Sequence, residues 1–317
     1  SAVADTAAIA STMISPMEEE KYPRDFSAAV VATAGPLGNI IPPSIPMIVY
    51  SMTSGQSLLD LFLAGYIPGV MIGLGLMAYC YFTSRKHGYG RTNASLSWQR
   101  VVMTFKRSFL AILTPVFIVG GIVSGIFTPT EASMMGVVYC LAVAILVYKE
   151  LRWRDMPAIL LKSAKATAKL TIIIAIGSVF SYICISEGVP DMVKRFILSI
   201  SDNRLVILLM LNVFLLFLGC ILDILVATVI LVPVLVPLAD AAGINQLHLA
   251  MLFVINMSIG LLTPPVGYSI FVASTVSKVP VEKIAVRELP IVATMIVILI
   301  FVIFFPKLSL YVPSLVH

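Results

Sequence analysis

Long apolar runs, separated by short charged loops, fill most of this 317-residue sequence. A helix needs about 20 mostly apolar residues to cross the hydrocarbon core of a bilayer. Several runs approach or exceed that length and are apolar on every side, which predicts helices surrounded by lipid. They are residues 58–82, 109–127, 132–148, 170–185, 205–222 and 291–305. The sequence therefore predicts an all-α polytopic membrane protein.

Composition and charge distribution exclude several other classes of protein. A chain with 59% hydrophobic residues, 12% charged residues and a mean hydropathy of +1.03 does not resemble a water-soluble domain. A transmembrane barrel would alternate apolar and polar positions within segments of about ten residues, and these runs do not. The net charge of +5 does not indicate nucleic acid, because Lys and Arg occupy short loops and form no basic face. We expect membrane lipid as the surroundings and no nucleic-acid partner.

Three loops rich in Lys and Arg orient the chain: residues 85–107, 149–154 and 278–287. Loops of this kind stay on the cytoplasmic side, so we place all three there. With all three loops in the cytoplasm, the chain returns to the correct side only if residues 205–238 enter and leave the membrane from outside, as a re-entrant hairpin. The sequence starts at Ser1 without an initiator Met or an apolar signal core. We therefore expect a longer protein whose remaining part completes a first hairpin.

An internal repeat relates the two ends of the chain. In each half, an Asp near a hairpin turn is followed by an apolar helix that contains Gly and a Pro-Pro pair. The sequence offset is 218 between Asp5 and Asp223 (223 − 5), and it is 222 between Pro42-Pro43 and Pro264-Pro265 (264 − 42). Consecutive prolines cannot continue a helix, because each removes a backbone donor and clashes with the preceding turn. The sequence thus predicts inverted repeats with two helices broken near the middle of the membrane.

Broken helices suggest a transport site. Unpaired backbone groups are tolerated at membrane depth only where they are buried in protein or line a watery cavity. Half-helix N-termini can face an anionic substrate, while exposed carbonyls can hold Na⁺. The polar residues and prolines at the breaks are the predicted substrate-binding residues: Ser1, Asn39, Pro42, Ser44, Thr228, Asn256, Thr263 and Ser269.

Each of these residues also has an ordinary structural explanation. A single Ser or Thr in a membrane helix commonly donates to a carbonyl one turn earlier, and only the clustering at two breaks favours a site. Asp5 and Asp223 each precede an apolar run, where either helix capping or cation binding would explain them. The three His residues form no metal triad or proton relay, and we predict no catalytic residues.

Several motifs in a fixed order resemble one family across nearly the whole chain. They are SAVADTAAI at 1–9, IPPSIP at 41–46, FTPTEA at 127–132, the hairpin around Asp223 with Pro233, and NMSIGLLTPPVG at 256–267. Together they resemble the large membrane subunit of tripartite ATP-independent periplasmic (TRAP) transporters, the DctM-like family. The resemblance implies an elevator-type, ion-transporter-like architecture in the bacterial inner membrane.

The resemblance also implies a function, partners and ion ligands. It implies Na⁺-coupled import of an organic acid, of the sialic acid or C4-dicarboxylate class, delivered by a periplasmic binding protein to a complex with a small membrane (Q) subunit. Sodium would be held mainly by carbonyl oxygens, with the two aspartates as further candidates. The predicted Na⁺ ligands are Ser1, Asp5, Gly38, Asn39, Gly219, Asp223, Gly260, Thr263 and Pro265.

This interpretation divides the chain by function. Residues 1–57 and 204–275 would form the two repeats of a moving transport domain. Residues 58–203 would supply scaffold helices and interfacial arms, and residues 276–317 a C-terminal scaffold helix.

Three alternatives come from other classes. A channel would need a continuous polar pore, whereas the polar groups cluster at two breaks. An intramembrane enzyme would need a nucleophile with a base or paired carboxylates, and no His or second acid accompanies Asp5 or Asp223. A proton-coupled or binding-protein-independent carboxylate transporter is the nearest rival, since Asp residues can relay protons.

Overall fold

The computed structural model describes residues 2–90 and 98–316, and all regular structure in these ranges is helical. A π-helical turn at Val143–Val147 and 3₁₀ turns at Trp153–Asp155 and Pro313–Leu315 accompany the α-helices. The α-helices are α1 Ala2–Glu19, α2 Arg24–Ala34, α3 Leu37–Ile40, α4 Ile45–Ser54, α5 Leu58–His87, α6 Trp98–Val123, α7 Pro129–Ala142, α8 Met156–Ser186, α9 Val189–Ile200, α10 Arg204–Gly219, α11 Ile224–Ala241, α12 Gln246–Gly260, α13 Tyr268–Ser277, α14 Val281–Phe304 and α15 Lys307–Leu310. The predicted all-α class is confirmed.

Seven stretches of the described chain are long and apolar enough to cross a membrane. Three shorter apolar helices, α10, α12 and α13, lie among them. Large apolar side chains such as Val213 and Phe217 are exposed, as expected of helices that face lipid. The spans are Arg24–Ser54, Leu58–His87, Val101–Val123, Pro129–Val147, Trp153–Ser186, Ile224–Ala241 and Val281–Phe304. The polytopic membrane fold predicted from hydropathy is confirmed.

The described residues divide into two compact units. The first contains residues 2–90 and 177–316, and the second contains residues 98–176, so the boundary falls inside α8. In the second unit α6 packs against α7, where Tyr139 Oη donates to the carbonyl oxygen of Leu110 at 2.8 Å. Every predicted site residue within the described ranges lies in the first unit. The functional division at residues 57, 203 and 275 stays a prediction.

Both predicted helix breaks are present in the first unit. α3 ends at Ile40 and α4 begins at Ile45, while α12 ends at Gly260 and α13 begins at Tyr268. Both Pro-Pro bonds, Pro42-Pro43 and Pro264-Pro265, are cis. The breaks follow from the chemistry of proline, which offers no N–H to continue either helix.

The two ends of the chain pack crosswise. α1 packs against α13, and α11, the counterpart of α1 in the predicted repeat, packs against α4. Likewise α2 packs against α14, and α12 against α5. These contacts form two matched pairs: α1 with α13 matches α11 with α4, and α2 with α14 matches α12 with α5. Such matching is what a two-fold arrangement of the two halves would produce.

The core of this unit lies around α12. Every residue of α12 from His248 to Gly260 is buried, because α3, α4, α5, α10, α11 and α14 all contact this helix. A helix that is apolar all round belongs at the centre of a membrane bundle, and its sequence shows no polar face. α12 therefore carries the second break into the middle of the unit.

Candidate ion and substrate site at the two helix breaks

The first break is bridged by a side chain. Ser44 Oγ donates to the carbonyl oxygen of Asn39 at 2.5 Å and accepts from the N–H of Met47 at 3.5 Å, which caps α4. Asn39 is buried, and its Nδ2 has no hydrogen-bond partner among the described residues. Pro42, also predicted, is buried at the same break. The Ser44 hydroxyl is thus used for structure, while the Asn39 amide keeps a free donor.

Helix α1 packs against α2 and α3, the segment that leads into the first break. A Cβ placed on Gly38 would lie 2.5 Å from Asp5 Oδ2, so the carboxylate occupies the space that a side chain there would need. Thr6 Oγ1 fills the corresponding space above Gly35, and it too has no hydrogen-bond partner within the described ranges. Glycine at these positions lets carboxylate and hydroxyl oxygens approach the backbone of the break.

The predicted equivalence of Asp5 and Asp223 is wrong. Asp223 directly precedes α11 and caps it, with Oδ1 accepting from the N–H of Leu225 at 2.9 Å. Asp5 instead lies in the first turn of α1. The offset between the two Pro-Pro pairs is 222 and that between the aspartates only 218, so the two carboxylates differ by one helical turn. Capping explains Asp223 and does not explain Asp5.

At the second break, two backbone segments touch without intervening side chains. A Cβ on Gly219 would lie 3.1 Å from Gly260 Cα and 3.4 Å from the carbonyl oxygen of Asn256. The N–H of Val266 donates to the carbonyl oxygen of Cys220 at 3.4 Å. The turn between α10 and α11 therefore packs against the end of α12, with Pro265 exposed beside it.

Among the predicted hydroxyl groups, two follow the ordinary pattern. Thr228 donates to the carbonyl oxygen of Ile224 at 2.6 Å, and Thr263 to that of Ile259 at 3.0 Å. Such bonds satisfy the hydroxyl proton and leave oxygen lone pairs available. Ser269 differs, because its buried Oγ has no partner in the part of the chain that the structure describes.

Asn256 has a partner that sequence reasoning missed. Its Nδ2 donates to the carbonyl oxygen of Leu252 at 2.6 Å and to Oδ1 of Asn212, a buried residue of α10. The amide pair ties α10 to α12 below the contact of Gly219 with Gly260. The signal was available, since Asn212 is a lone amide in an apolar run and polar side chains within membrane spans commonly bond across helices.

The structure thus places the predicted residues in two groups. Asp5, Gly38, Asn39, Pro42 and Ser44 lie at the first break, and Gly219, Asp223, Gly260, Thr263, Pro265 and Ser269 lie at or beside the second. Thr228 and Asn256 lie one turn or more into α11 and α12. Ser1 lies outside the described residues.

The available ligand atoms suit a hard cation. Within the described ranges, no group of three His, Cys, Asp or Glu side chains could hold a metal ion. The atoms brought to the breaks are instead carbonyl, hydroxyl and amide oxygens with the Asp5 carboxylate. Hard cations such as Na⁺ prefer oxygen ligands of this kind.

A membrane helical bundle with two interrupted helices is an architecture typical of polytopic membrane transport proteins. The family model for the "Tripartite ATP-independent periplasmic transporter, DctM component" matches residues 1–308. The chain belongs to this family, which confirms the resemblance seen in its motifs.

Relatives of the chain are named for different substrates. The chain is 38% identical over 315 residues, 99% of itself and 74% of the relative, to the sialic acid TRAP transporter large permease protein SiaM of Vibrio cholerae. It is 36% identical over 314 residues, 99% of itself and 73% of the relative, to the C4-dicarboxylate TRAP transporter large permease protein DctM of Pseudomonas aeruginosa. It is 35% identical over 308 residues, 97% of itself and 48% of the relative, to the isethionate TRAP transporter permease protein DctMQ of Oleidesulfovibrio alaskensis.

Proposed function

We propose that this chain carries the substrate path of a Na⁺-coupled importer of an organic acid in the bacterial inner membrane. The acid would be delivered by a periplasmic binding protein, and a small membrane (Q) subunit would complete the permease. The observation that carries this proposal is the contact of Gly219 with Gly260, which brings a helix turn and a helix break together backbone to backbone. Relatives named for sialic acid, C4-dicarboxylate and isethionate support an acid as substrate.

Two cation sites are proposed, one at each break. At the first, Asp5 and the backbone of Gly38 and Asn39 would hold one Na⁺. At the second, the carbonyl oxygens around Gly219 and Gly260 would hold another, with Thr263 and Pro265 beside them. Each site joins a hairpin helix to a broken helix, so a bound cation would hold the two together and prepare them for substrate.

The acid would bind at the N-terminal end of α13. This ten-residue helix begins after Gly267, which offers no side chain to cap it, whereas the Ser44 side chain caps α4. The N–H of Ser269 already donates to the carbonyl oxygen of Leu261 at 3.2 Å, so the attraction for an anion would come from the positive end of the helix and from the buried Ser269 hydroxyl, a donor without a partner among the described residues. A substrate carboxylate would therefore be held at the second break, and Na⁺ nearby would offset its charge.

An elevator movement agrees with the crosswise packing. α1 contacts the second half of the other broken helix, and α11 does the same in return, so hairpin and broken helices of both repeats interlock. A unit interlocked in this way would carry its site across the membrane as one body. Under this proposal residues 1–57 and 204–275 move, and residues 58–203 and 276–317 provide the scaffold.

The test is uptake of radiolabelled organic acids into proteoliposomes that hold the full-length large subunit with its small partner. Uptake is measured with and without Na⁺ and with and without the binding protein. We expect uptake to require both. Uptake that is unchanged when K⁺ replaces Na⁺ would reject sodium coupling and favour the proton-coupled alternative, and uptake without the binding protein would reject the tripartite mechanism.

A further inference from the structure

The C-terminal part of α8, which belongs to the first unit, touches α11 along one side. A Cβ on Gly177 of α8 would lie 2.3 Å from Val229 Cγ1, so the two helices approach closely there. Ser181 Oγ, one turn later, donates to the carbonyl oxygen of Val229 at 2.8 Å. That carbonyl lacks its helical donor, because the residue four positions later is Pro233, which has no N–H. This contact fixes the end of α8 against α11.

An apolar cleft lies beside this contact, among α8, α9, α10 and α11 of the first unit. Its volume is about 460 Å³, and every lining residue is apolar apart from the Cys184 thiol. The lining includes exposed phenylalanines, Phe196 at 67% and Phe214 at 46%. It also includes Leu211 and Leu235, which are each only 3% exposed. The cleft therefore reaches from the surface of the unit into its packed interior.

The surroundings of the cleft indicate what fills it. α8 and α11 belong to stretches that are long and apolar enough to cross a membrane, so the phenylalanines at the mouth face lipid. Water finds no hydrogen-bond partners in a cleft lined in this way. An empty cleft would lose the packing contacts that its walls could make. The material at the mouth that can make them is a lipid acyl chain.

The charges of α9 favour a phospholipid as the owner of that chain. Val193 and Ile197 of α9 line the cleft, and helical periodicity places Asp191, Lys194 and Arg195 on the opposite face. Neither Lys194 nor Arg195 forms an ion pair within the described chain. A helix with one apolar face and one net basic face lies at the membrane interface, where its cations attract lipid phosphates. An acyl chain beneath α9 would thus have its headgroup near two cations.

We propose that this cleft binds one acyl chain of a membrane phospholipid. The chain enters past Phe196 and Phe214 and packs on Leu211 and Leu235. It fills the space that the contact between α8 and α11 leaves open. α11 starts at the turn that packs against the second break, so the lipid supports that turn from outside the candidate site. The lipid is a structural ligand and not a substrate.

The test is photolabelling of the full-length large subunit with its small partner in lipid nanodiscs. The bilayer contains a phospholipid with a photoreactive diazirine in the middle of one acyl chain, and labelled residues are identified by mass spectrometry. We expect adducts on Leu211 and Leu235, which lipid reaches only through the cleft. Labelling confined to exposed residues of α10, such as Val213 and Phe217, overturns the proposal.

Variants that fill the cleft separate a bound chain from general contact with lipid. Val234→Phe on α11 and Val193→Phe on α9 each add a phenyl ring to its lining. Each is expected to lower the labelling of Leu211 about tenfold, because the ring occupies volume that the chain needs. Val213→Phe adds the same ring at an exposed position of α10 outside the cleft and should leave that labelling unchanged. Undiminished labelling of Leu211 in both cleft variants overturns the proposal.

Photo-leucine identifies the occupant from the protein side. This analogue carries a diazirine in nearly the shape of leucine, and it is incorporated throughout the complex. Crosslinks from Leu211 or Leu235 to phospholipid support the proposal. Crosslinks from the same positions to the small subunit, or to a further part of the large subunit, show that protein fills the cleft and overturn it. If both cleft variants fail to fold, these two wild-type patterns decide alone.

Discussion

The turn between α1 and α2 and the turn between α11 and α12 are each tied to a helix from the other end of the chain, at equivalent positions but by different chemistry. In the first repeat Arg24 forms an ion pair with Glu18 at 3.2 Å and donates from Nε to the carbonyl oxygen of Ser277 at 2.6 Å. In the second, Gln246 donates to Asp240 Oδ1 at 2.5 Å and accepts from Gln56. Arg24 corresponds to Gln246, with an offset of 222 (246 − 24), and Glu18 corresponds to Asp240 with the same offset (240 − 18).

The comparison indicates that the fold requires a tie at this position but does not require a particular residue type. Each tie joins three segments. The first joins the end of α1, the start of α2 and the end of α13, and the second joins the end of α11, the start of α12 and the end of α4. The position of the tie is therefore repeated, whereas the residue types are ionic in one repeat and uncharged amides with one acid in the other. Positions repeated with different chemistry are where the two repeats can diverge in function.

The two helix breaks also lie at equivalent positions but pack differently. Of the substitutions considered, Gly260→Ala is expected to have the largest effect. A Cβ at Gly260 would overlap the backbone of Gly219, which cannot move away as a side chain could. A Cβ at Gly38 would meet only the end of the Asp5 side chain. We expect Gly260→Ala to abolish Na⁺-dependent uptake and to lower the free energy of unfolding by about 2 kcal/mol or more. Gly38→Ala should retain more of the Na⁺-dependent uptake and lose less unfolding free energy.

Uptake in proteoliposomes and thermal unfolding in detergent measure these two effects. Gly73→Ala is the matched control, because Gly73 is also helical and a Cβ there would meet no atom within 4 Å. Equal losses in Gly260→Ala and Gly73→Ala would mean that helix flexibility, and not the contact with Gly219, explains the effect.

The next effect concerns the amide pair found in the second repeat. Asn212→Val removes the side-chain acceptor of Asn256 on α10 and leaves the buried Asn256 amide with a single acceptor, the carbonyl oxygen of Leu252. We expect a loss of about 1.5 kcal/mol of unfolding free energy, because an interhelical bond is lost and a buried polar group is stranded. The unfolding midpoint measures it. Val213→Ala, an exposed neighbour on α10, should change the midpoint little, and an equal shift in both variants would contradict this role.

The sequence predicted the breaks well because proline acts locally. Pro42-Pro43 and Pro264-Pro265 interrupt their helices whatever surrounds them, and long apolar runs need lipid in any context. The contact between Gly219 and Gly260 joins residues far apart in sequence, so only the resemblance could predict that they meet.

Two failures had identifiable causes. Asp5 and Asp223 were matched by residue type, although the offset of the Pro-Pro pairs shows that they differ by one turn. The start of α14 was misplaced because residues 278–287 carry basic side chains and were interpreted as a loop, whereas α14 already begins at Val281. Basic residues near a span predict its side of the membrane more reliably than its boundary.

A smaller effect is expected from the cap of α4, which has no side-chain equivalent at α13. Ser44→Ala removes both the cap of Met47 and the bond across the break to Asn39. We expect a loss of about 1 kcal/mol of unfolding free energy, as for other N-cap serines. The thermal unfolding midpoint in detergent measures this loss. Thr53→Val, which removes only a bond to the carbonyl oxygen of Val49 one turn earlier in the same helix, is the control. An undiminished midpoint in Ser44→Ala would show that the break holds its shape without the side chain.

The smallest effect should come from the ionic tie itself. Arg24 and Glu18 are partly exposed, with side-chain exposures of 47% and 33%, so solvent and salt screen their attraction. Arg24→Gln, which copies the residue found at position 246, should therefore cost only about 0.5 kcal/mol in low salt and less in high salt. Unfolding midpoints in low and in high salt measure the loss of stability and its salt dependence. The bond to the Ser277 carbonyl needs only an N–H donor, which Gln supplies if its shorter side chain reaches.

The opposite exchange, Gln246→Arg, completes this test of the comparison. An Arg at position 246 would face Asp240 as Arg24 faces Glu18, so this variant should gain the salt dependence that Arg24→Gln loses. If the two ties have the same mechanical purpose, both variants keep Na⁺-dependent uptake. Loss of uptake in Arg24→Gln with an unchanged unfolding midpoint would mean that the charge at the first hairpin has a role in transport that the second repeat does not share.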